Sequence, residues 1–195
     1  MTPRSRTASS ELEGKILAAA LDILGEEGSR GLTVRAIATR AGVAPMGIYN
    51  HFDGKTGVIE AVWSEGFDRL ADQLRTNLRA GPRDALFECG HQYRRFAHDN
   101  EAYYRLMFME QLDDFIPSAE AAASSGHALQ ILVDRVEALQ ATGEFGADRS
   151  IDIAQGIWAS VHGWVSLELM RVNFATSPDE AYDALLQAIY HGYAK

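Results

Sequence analysis

The side chains with the clearest chemical potential fall in one short run, TVRAIATRAGVAPMGIYNHFDGK, from Thr33 to Lys55. Thr33, Arg35, Tyr49, Asn50, His51 and Lys55 carry hydroxyl, amide, imidazole or cationic tips, each able to donate a hydrogen bond to an oxyanion. Such a set suits phosphate oxygens better than bond-making chemistry. The residues of catalysis are not grouped anywhere else: the chain has no Gly-rich phosphate loop, no Ser in a nucleophile elbow and no helical pair of metal ligands. No catalytic residue, metal or cofactor is therefore expected. His91 and His98 stand seven apart without a carboxylate of clear ligand geometry, and the single Cys89 reads as a small buried apolar side chain.

The elements that must position this run read as helices, since apolar spacing of three and four persists along the chain and period-two alternation does not. Ser10 and Glu13 suit a capping box for a first helix whose face holds Ile16, Leu17, Ala20, Leu21 and Leu24 before Gly28, with Met1 to Ser9 as a flexible arm. Thr33 caps a second helix that runs to Gly42, and Pro45 starts a third that ends near Phe52, before Asp53 and Gly54. A longer helix follows with Ile59, Val62, Trp63, Phe67, Leu70 and Leu74. Further helices are expected around Leu86 to Ala97, after an Asn100 cap, after Pro117 and Ser118, after an Asp148 cap, and from a Ser177-Pro178-Glu180 capping box. The result is an all-α fold of about nine helices.

Two short helices joined by a glycine turn and flanked by longer ones have the layout of a helix-turn-helix, whose second helix enters a major groove about 12 Å wide. Ile48 and Phe52, four apart, should pack inward, leaving Ala44, Pro45, Met46, Tyr49 and Asn50 toward base edges. Tyr49, His51 and Lys55 then suit phosphates, and Thr33 and Arg35 the neighbouring strand. The plainer alternative is that Tyr49 and His51 close a small core. Residues 1–55 are expected to be the DNA-binding domain and 56–195 a larger helical body.

Net charge is -9, an unusual sign for a partner of nucleic acid. Its distribution removes the objection. Residues 1–55 hold 7 Lys and Arg against 6 Asp and Glu, whereas the remainder holds 11 against 21. A near-neutral head can approach phosphates that an acidic body repels. Met1 to Gly14 lacks the apolar core of a signal peptide and no run of about eighteen apolar residues occurs, so a cytoplasmic protein with no membrane partner is expected.

The run from Thr33 to Lys55 resembles the signature of TetR-family repressors in Thr33, Ile37-Ala38, Ala41-Gly42-Val43, the Tyr49 to Phe52 block and Lys55, and the flanking helices agree over roughly Glu11 to Leu78. Ala44 stands where the family often has a capping Ser, and Met46 where it often has Gly, so apolar contact gains over hydrogen-bonded readout at the start of the third helix. Trp158, His162-Gly163-Trp164 and Leu167-Glu168 resemble a pattern of one group of TetR C-terminal domains. The resemblance implies a homodimer, here joined through the last two long helices, that binds double-stranded operator DNA and answers to a small-molecule effector. Pockets of that kind are mostly apolar with a few polar tips, so Tyr93, Phe96, Tyr103, Tyr104, Met107, Phe108, Trp158 and His162 are the expected lining for an apolar or aromatic effector. The rival from another class is an all-α ligand-binding or dimerisation module without specific DNA binding.

Overall fold

Apolar residues at helical spacing, punctuated by Gly, Pro and Asp, fold into nine α-helices and one 3-10 turn among the described residues. The computed structural model describes residues 4–75, 81–110, 112 and 115–195, with side chains from Ser9 onward. The helices are α1 (Arg4–Glu27), α2 (Val34–Ala41), α3 (Pro45–Phe52), α4 (Lys55–Leu74), α5 (Pro82–Asp99), α6 (Glu101–Phe108), α7 (Ala119–Ala141), α8 (Ser150–Leu169) and α9 (Pro178–Tyr193). The 3-10 turn, Ser29–Gly31, lies between α1 and α2. The fold is all-α. Its one isolated bridge among the described residues joins Phe145 to Ala194. The expected agreement of the flanking helices as far as Leu78 ends outside the described residues.

The chain forms two compact units, Met1–Phe67 with Asn100–Ser125 and Asp68–Asp99 with Gly126–Lys195. In the first, Ile16, Ala20, Ile37, Ile48, Val58 and Val62 are fully buried, each large aliphatic side chain contributing about 1.5–3 kcal/mol. The aromatic side of this core comes from α6, with Tyr104 fully buried and Phe108 ring-to-ring with Phe67 at 5.3 Å. Glu110, just past α6, accepts from the Ser29 amide at 3.3 Å and the Ser29 hydroxyl at 2.9 Å, which ties it to the 3-10 turn. In the second unit Phe96, Val136, Leu139, Phe145, Ala154, Val165 and Tyr182 form the core, and the Tyr182 hydroxyl donates to the Gly90 carbonyl at 2.7 Å.

Several local expectations change. Backbone helix begins at Arg4 rather than at Ser10, so Ser10 lies inside α1 and the expected arm is helical over Arg4 to Ser9. No Gly or Pro interrupts residues 4–13, and the Ser9 hydroxyl bonds Glu13 one turn on at 3.1 Å. Neither Asn100 nor Ser177 caps through its side chain, and Arg149 rather than Asp148 occupies the N-cap of α8. Ser118 does act as expected, accepting from the Ala121 amide at 3.2 Å at the start of α7. Phe52 is half-buried and Ile151 faces solvent.

Candidate functional site

Local chemistry dictates the helix-turn-helix. Thr33 is extended and its hydroxyl accepts from the Ala36 amide at 3.1 Å, closing the first turn of α2. Gly42, at φ 67°, ends α2 in the left-handed region that a Cβ disfavours, and the Val43 amide returns to the Ala38 carbonyl at 2.9 Å. Ala44 then runs extended into Pro45 at the first turn of α3, without a side-chain cap. Asp53 and Gly54, at φ 54° and 87°, turn the chain into α4. A Cβ on Gly54 would lie 3.1 Å from the Tyr49 ring, so the glycine lets that ring pack over the turn while Tyr49 stays 54% exposed.

Of the residues expected to meet DNA, Thr33, Arg35, Ala44, Pro45, Met46, Tyr49, Asn50 and Lys55 are exposed. His51 is partly buried, its Nδ1 lying 3.1 Å from a Glu13 carboxylate oxygen that also holds Ser9. Glu13 therefore fixes the ring of a residue on α3. Sequence reading assigned Glu13 to a capping box, and a partner 38 positions away leaves no spacing signal. Arg40 is likewise engaged, both its terminal nitrogens donating to Glu26 at 3.2 and 2.7 Å. That pair holds the Glu26 carboxyl below its usual range.

The expected effector-lining residues divide between the two units. Tyr103, Tyr104, Met107 and Phe108 belong to the first, where Met107 and Tyr103 occupy the space that a Cβ on Gly66 would need. Tyr93, Phe96, Trp158 and His162 belong to the second. There Trp158 Nε1 donates to the Tyr93 hydroxyl at 3.1 Å, and that hydroxyl lies 2.9 Å from His162 Nδ1. Burial pushes His162 below its ordinary pKa, so the ring is neutral near pH 7, with Nδ1 facing the Tyr93 hydroxyl and Nε2 the Ser166 hydroxyl at 3.4 Å. The unfolded chain protonates this ring near pH 6.5 and the folded chain only below that. Stability is thus expected to fall as pH drops from about 6.5 toward the folded value and then to level off. Urea midpoints from pH 7.5 to 5 should decline more in the wild type than in His162→Asn; equal declines would refute this.

The second unit also carries a polar cleft of about 580 Å³, lined by Glu88, His91, Arg94, Arg95, His98 and Asp179. Arg94 is its organiser. It grips Glu168 on α8 with Nε at 2.9 Å and a terminal nitrogen at 2.8 Å, reaches Asp179 on α9 at 2.8 Å, and stacks over Tyr182 with its guanidinium carbon 5.0 Å from the ring centroid. Burial pushes Glu168 up, but hydrogen bonds from Arg94 and His98 outweigh it and leave the carboxyl below its usual range. His91 faces Asp183 at 3.5 Å and His98 faces Glu168 at 3.0 Å. Among the described residues no group of three or more His, Cys, Asp or Glu can hold a metal ion. Burial pushes the Cys89 thiol up to about 11 against a weaker pull from Arg135. No described helix is long and apolar enough to cross a membrane.

Comparison with known proteins agrees with this geometry. The family model "Bacterial regulatory proteins, tetR family" matches residues 16–62, and "Tetracyclin repressor-like, C-terminal domain" matches residues 86–189. The chain is 29% identical over 158 residues to the uncharacterized HTH-type transcriptional regulator Rv0681 of Mycobacterium tuberculosis, covering 80% of this chain and 70% of that protein. It is 28% identical over 134 residues to the HTH-type transcriptional activator FasR of Mycolicibacterium smegmatis, covering 68% of this chain and 60% of that one. A solved Rhodococcus protein of unknown function shares the fold with a TM-score of 0.83 at 24% identity, over 94% of this chain and 96% of that one. The TetR family transcriptional regulator PfmR from Thermus thermophilus does so with a TM-score of 0.72 at 17% identity, over 90% and 97%. With one family model on the helix-turn-helix and another over more than half the residues, the chain belongs to the TetR family, whose members are transcriptional regulators and not enzymes.

Proposed function

We propose that the protein is a cytoplasmic homodimeric repressor that binds a near-palindromic operator and leaves it when a small molecule binds the body. The observation that carries the reading is the exposure of Thr33, Arg35, Met46, Tyr49, Asn50 and Lys55 around a fully buried Ile48, which presents α3 to a groove with phosphate-binding tips at its edges. In this reading residues 1–55 bind DNA, and residues 56–195 bind the effector and the second copy. Exposed Leu167, Met170, Val172 and Phe174, the last 92% exposed, support pairing of two chains around α8 and α9. Two heads must then sit about 34 Å apart to enter successive major grooves. The Tyr93, Trp158 and His162 network supplies polar tips for an otherwise apolar or aromatic effector. Effector and operator should weaken each other's binding by the same factor.

An anisotropy titration against selected and random duplexes tests the reading. Two chains per operator and specific, salt-sensitive binding are expected, and their absence would favour a ligand-binding or dimerisation module without DNA function. Lys55→Ala should weaken binding to all sequences alike and lower the slope of log affinity against log salt by about one; an unchanged slope would remove Lys55 from the phosphate contacts. A second reading, activation, is favoured by the name of the activator FasR. A promoter-reporter assay with and without the protein separates the two by the sign of the response.

A further inference from the structure

We infer that α3 reads the middle of each half-site through thymine methyl groups and one adenine, and makes no guanine contact. The inference rests on the operator-binding reading above. Ile48 is fully buried and Phe52 half-buried on the inner side of α3. Met46 and Asn50, four residues apart, lie on the opposite side and share one outward face. Met46 is 66% exposed, a long apolar side chain left in water at the second position of the helix. Ala44 and Pro45 beside it are exposed too, and Gly47 has open space around the position a Cβ would take.

The first turn of α3 thus offers a groove no side-chain hydrogen bond at all. Guanine presents two acceptors, O6 and N7, and is read by a paired donor from Arg or Lys. Helix α3 has neither residue. Neighbouring nitrogen donors do not fill the gap: the His51 ring is turned to Glu13, and Arg40 is held by Glu26 through two hydrogen bonds. What α3 does offer matches the other base pair. Met46, Pro45 and Ala44 suit the thymine methyl, and Asn50, the one amide on the outward face, suits adenine N6 and N7. Guanine reading is left to Arg35 at the start of α2, away from the centre.

The test uses the full chain. Duplexes are selected from a random library, and each thymine of the enriched half-site is then replaced by deoxyuridine, which removes only the methyl group. An A·T centre is expected, with a loss of about three- to five-fold at each contacted thymine. Met46→Ala should remove that sensitivity at the thymine Met46 meets and leave it at those met by Ala44 and Pro45, and Asn50→Ala should cost about ten-fold and relax the preference at one adenine. Both side chains are exposed, so both variants should keep wild-type circular dichroism. An enriched site with a G·C centre, or deoxyuridine without effect at every thymine, overturns the inference while leaving operator binding intact. Failure of any sequence to enrich overturns operator binding itself.

Discussion

Replacing Gly57 with alanine is expected to dislodge α3 and remove the affinity for duplex DNA. A Cβ at Gly57 would sit 1.4 Å from the Phe52 carbonyl oxygen and 2.5 Å from its carbonyl carbon. Both atoms are backbone, so no side chain can swing aside. The obstruction falls at the α3–α4 junction, where Asp53 and Gly54 already spend two consecutive residues in the left-handed region to make the turn. Relief requires Phe52 to move, and Phe52 is the last residue of α3, the helix that carries exposed Met46, Tyr49 and Asn50. Forcing a methyl into packed backbone costs about 3 kcal/mol or more. The same exchange at Gly14, inside α1 with nothing within 4 Å, should stabilise by up to about 1 kcal/mol. Thermal unfolding and anisotropy on both variants would decide it. Wild-type stability and affinity for Gly57→Ala would sink the claim.

The second large effect is expected at Arg94. Removing its side chain strips Glu168, whose side chain is only 7% exposed, of two charge-assisted hydrogen bonds and leaves it facing the His98 imidazole at 3.0 Å. Breaking one side of such a pair typically costs about 3 kcal/mol, because the other charge stays buried. In a chain of this size that is about 6–12 °C in Tm. The pH dependence carries a signature. Glu168 has a folded pKa below its unfolded one, so its contribution is present above about pH 4.5 and is lost as pH falls through the folded value. In Arg94→Ala that acid loss should shrink, because the carboxyl no longer holds its proton off. Pairing Arg94→Ala with Glu168→Gln should recover part of the loss at pH 7, since no uncompensated charge remains. Urea unfolding of the single and double variants at pH 7 and pH 4 tests both points. A single variant with the wild-type midpoint would show the pair to be idle.

Punctuation by single residues was legible from sequence. Thr33 as a cap, Gly42 and Gly54 at positive φ and Pro45 at a helix start each act through the residue's own backbone or its nearest neighbours. That was enough to outline α2 and α3 and the exposed side chains around them. Ser10 was misread because a cap-forming residue type does not decide whether the helix has started earlier; Asp148 lies one residue before the N-cap, and Asn100 and Ser177 hold the N-cap positions but make no side-chain cap hydrogen bond. The pairs His51 with Glu13 and Arg94 with Glu168 lie 38 and 74 positions apart, and no periodicity links such partners. Leu167-Glu168 stood out only by resemblance, and its physical reason appears once Arg94 is placed against it. The aromatic set was read as one lining, yet Tyr103 to Phe108 and Tyr93 with Trp158 fall in different compact units, a division that residue type does not encode.

Glu110 on Ser29, Ser118 on Glu60, Phe108 on Phe67 and Phe115 on Trp63 all join the first 67 residues to a stretch between 100 and 125. Made on a ribosome at about 5–20 residues per second, the N-terminal stretch waits about 3–12 s for the segment that completes its core. During that interval Phe67 and Trp63 lack their later aromatic partners, and the nascent chain offers an apolar surface for chaperones to hold. The helix-turn-helix, translated ahead of that segment, is finished from behind.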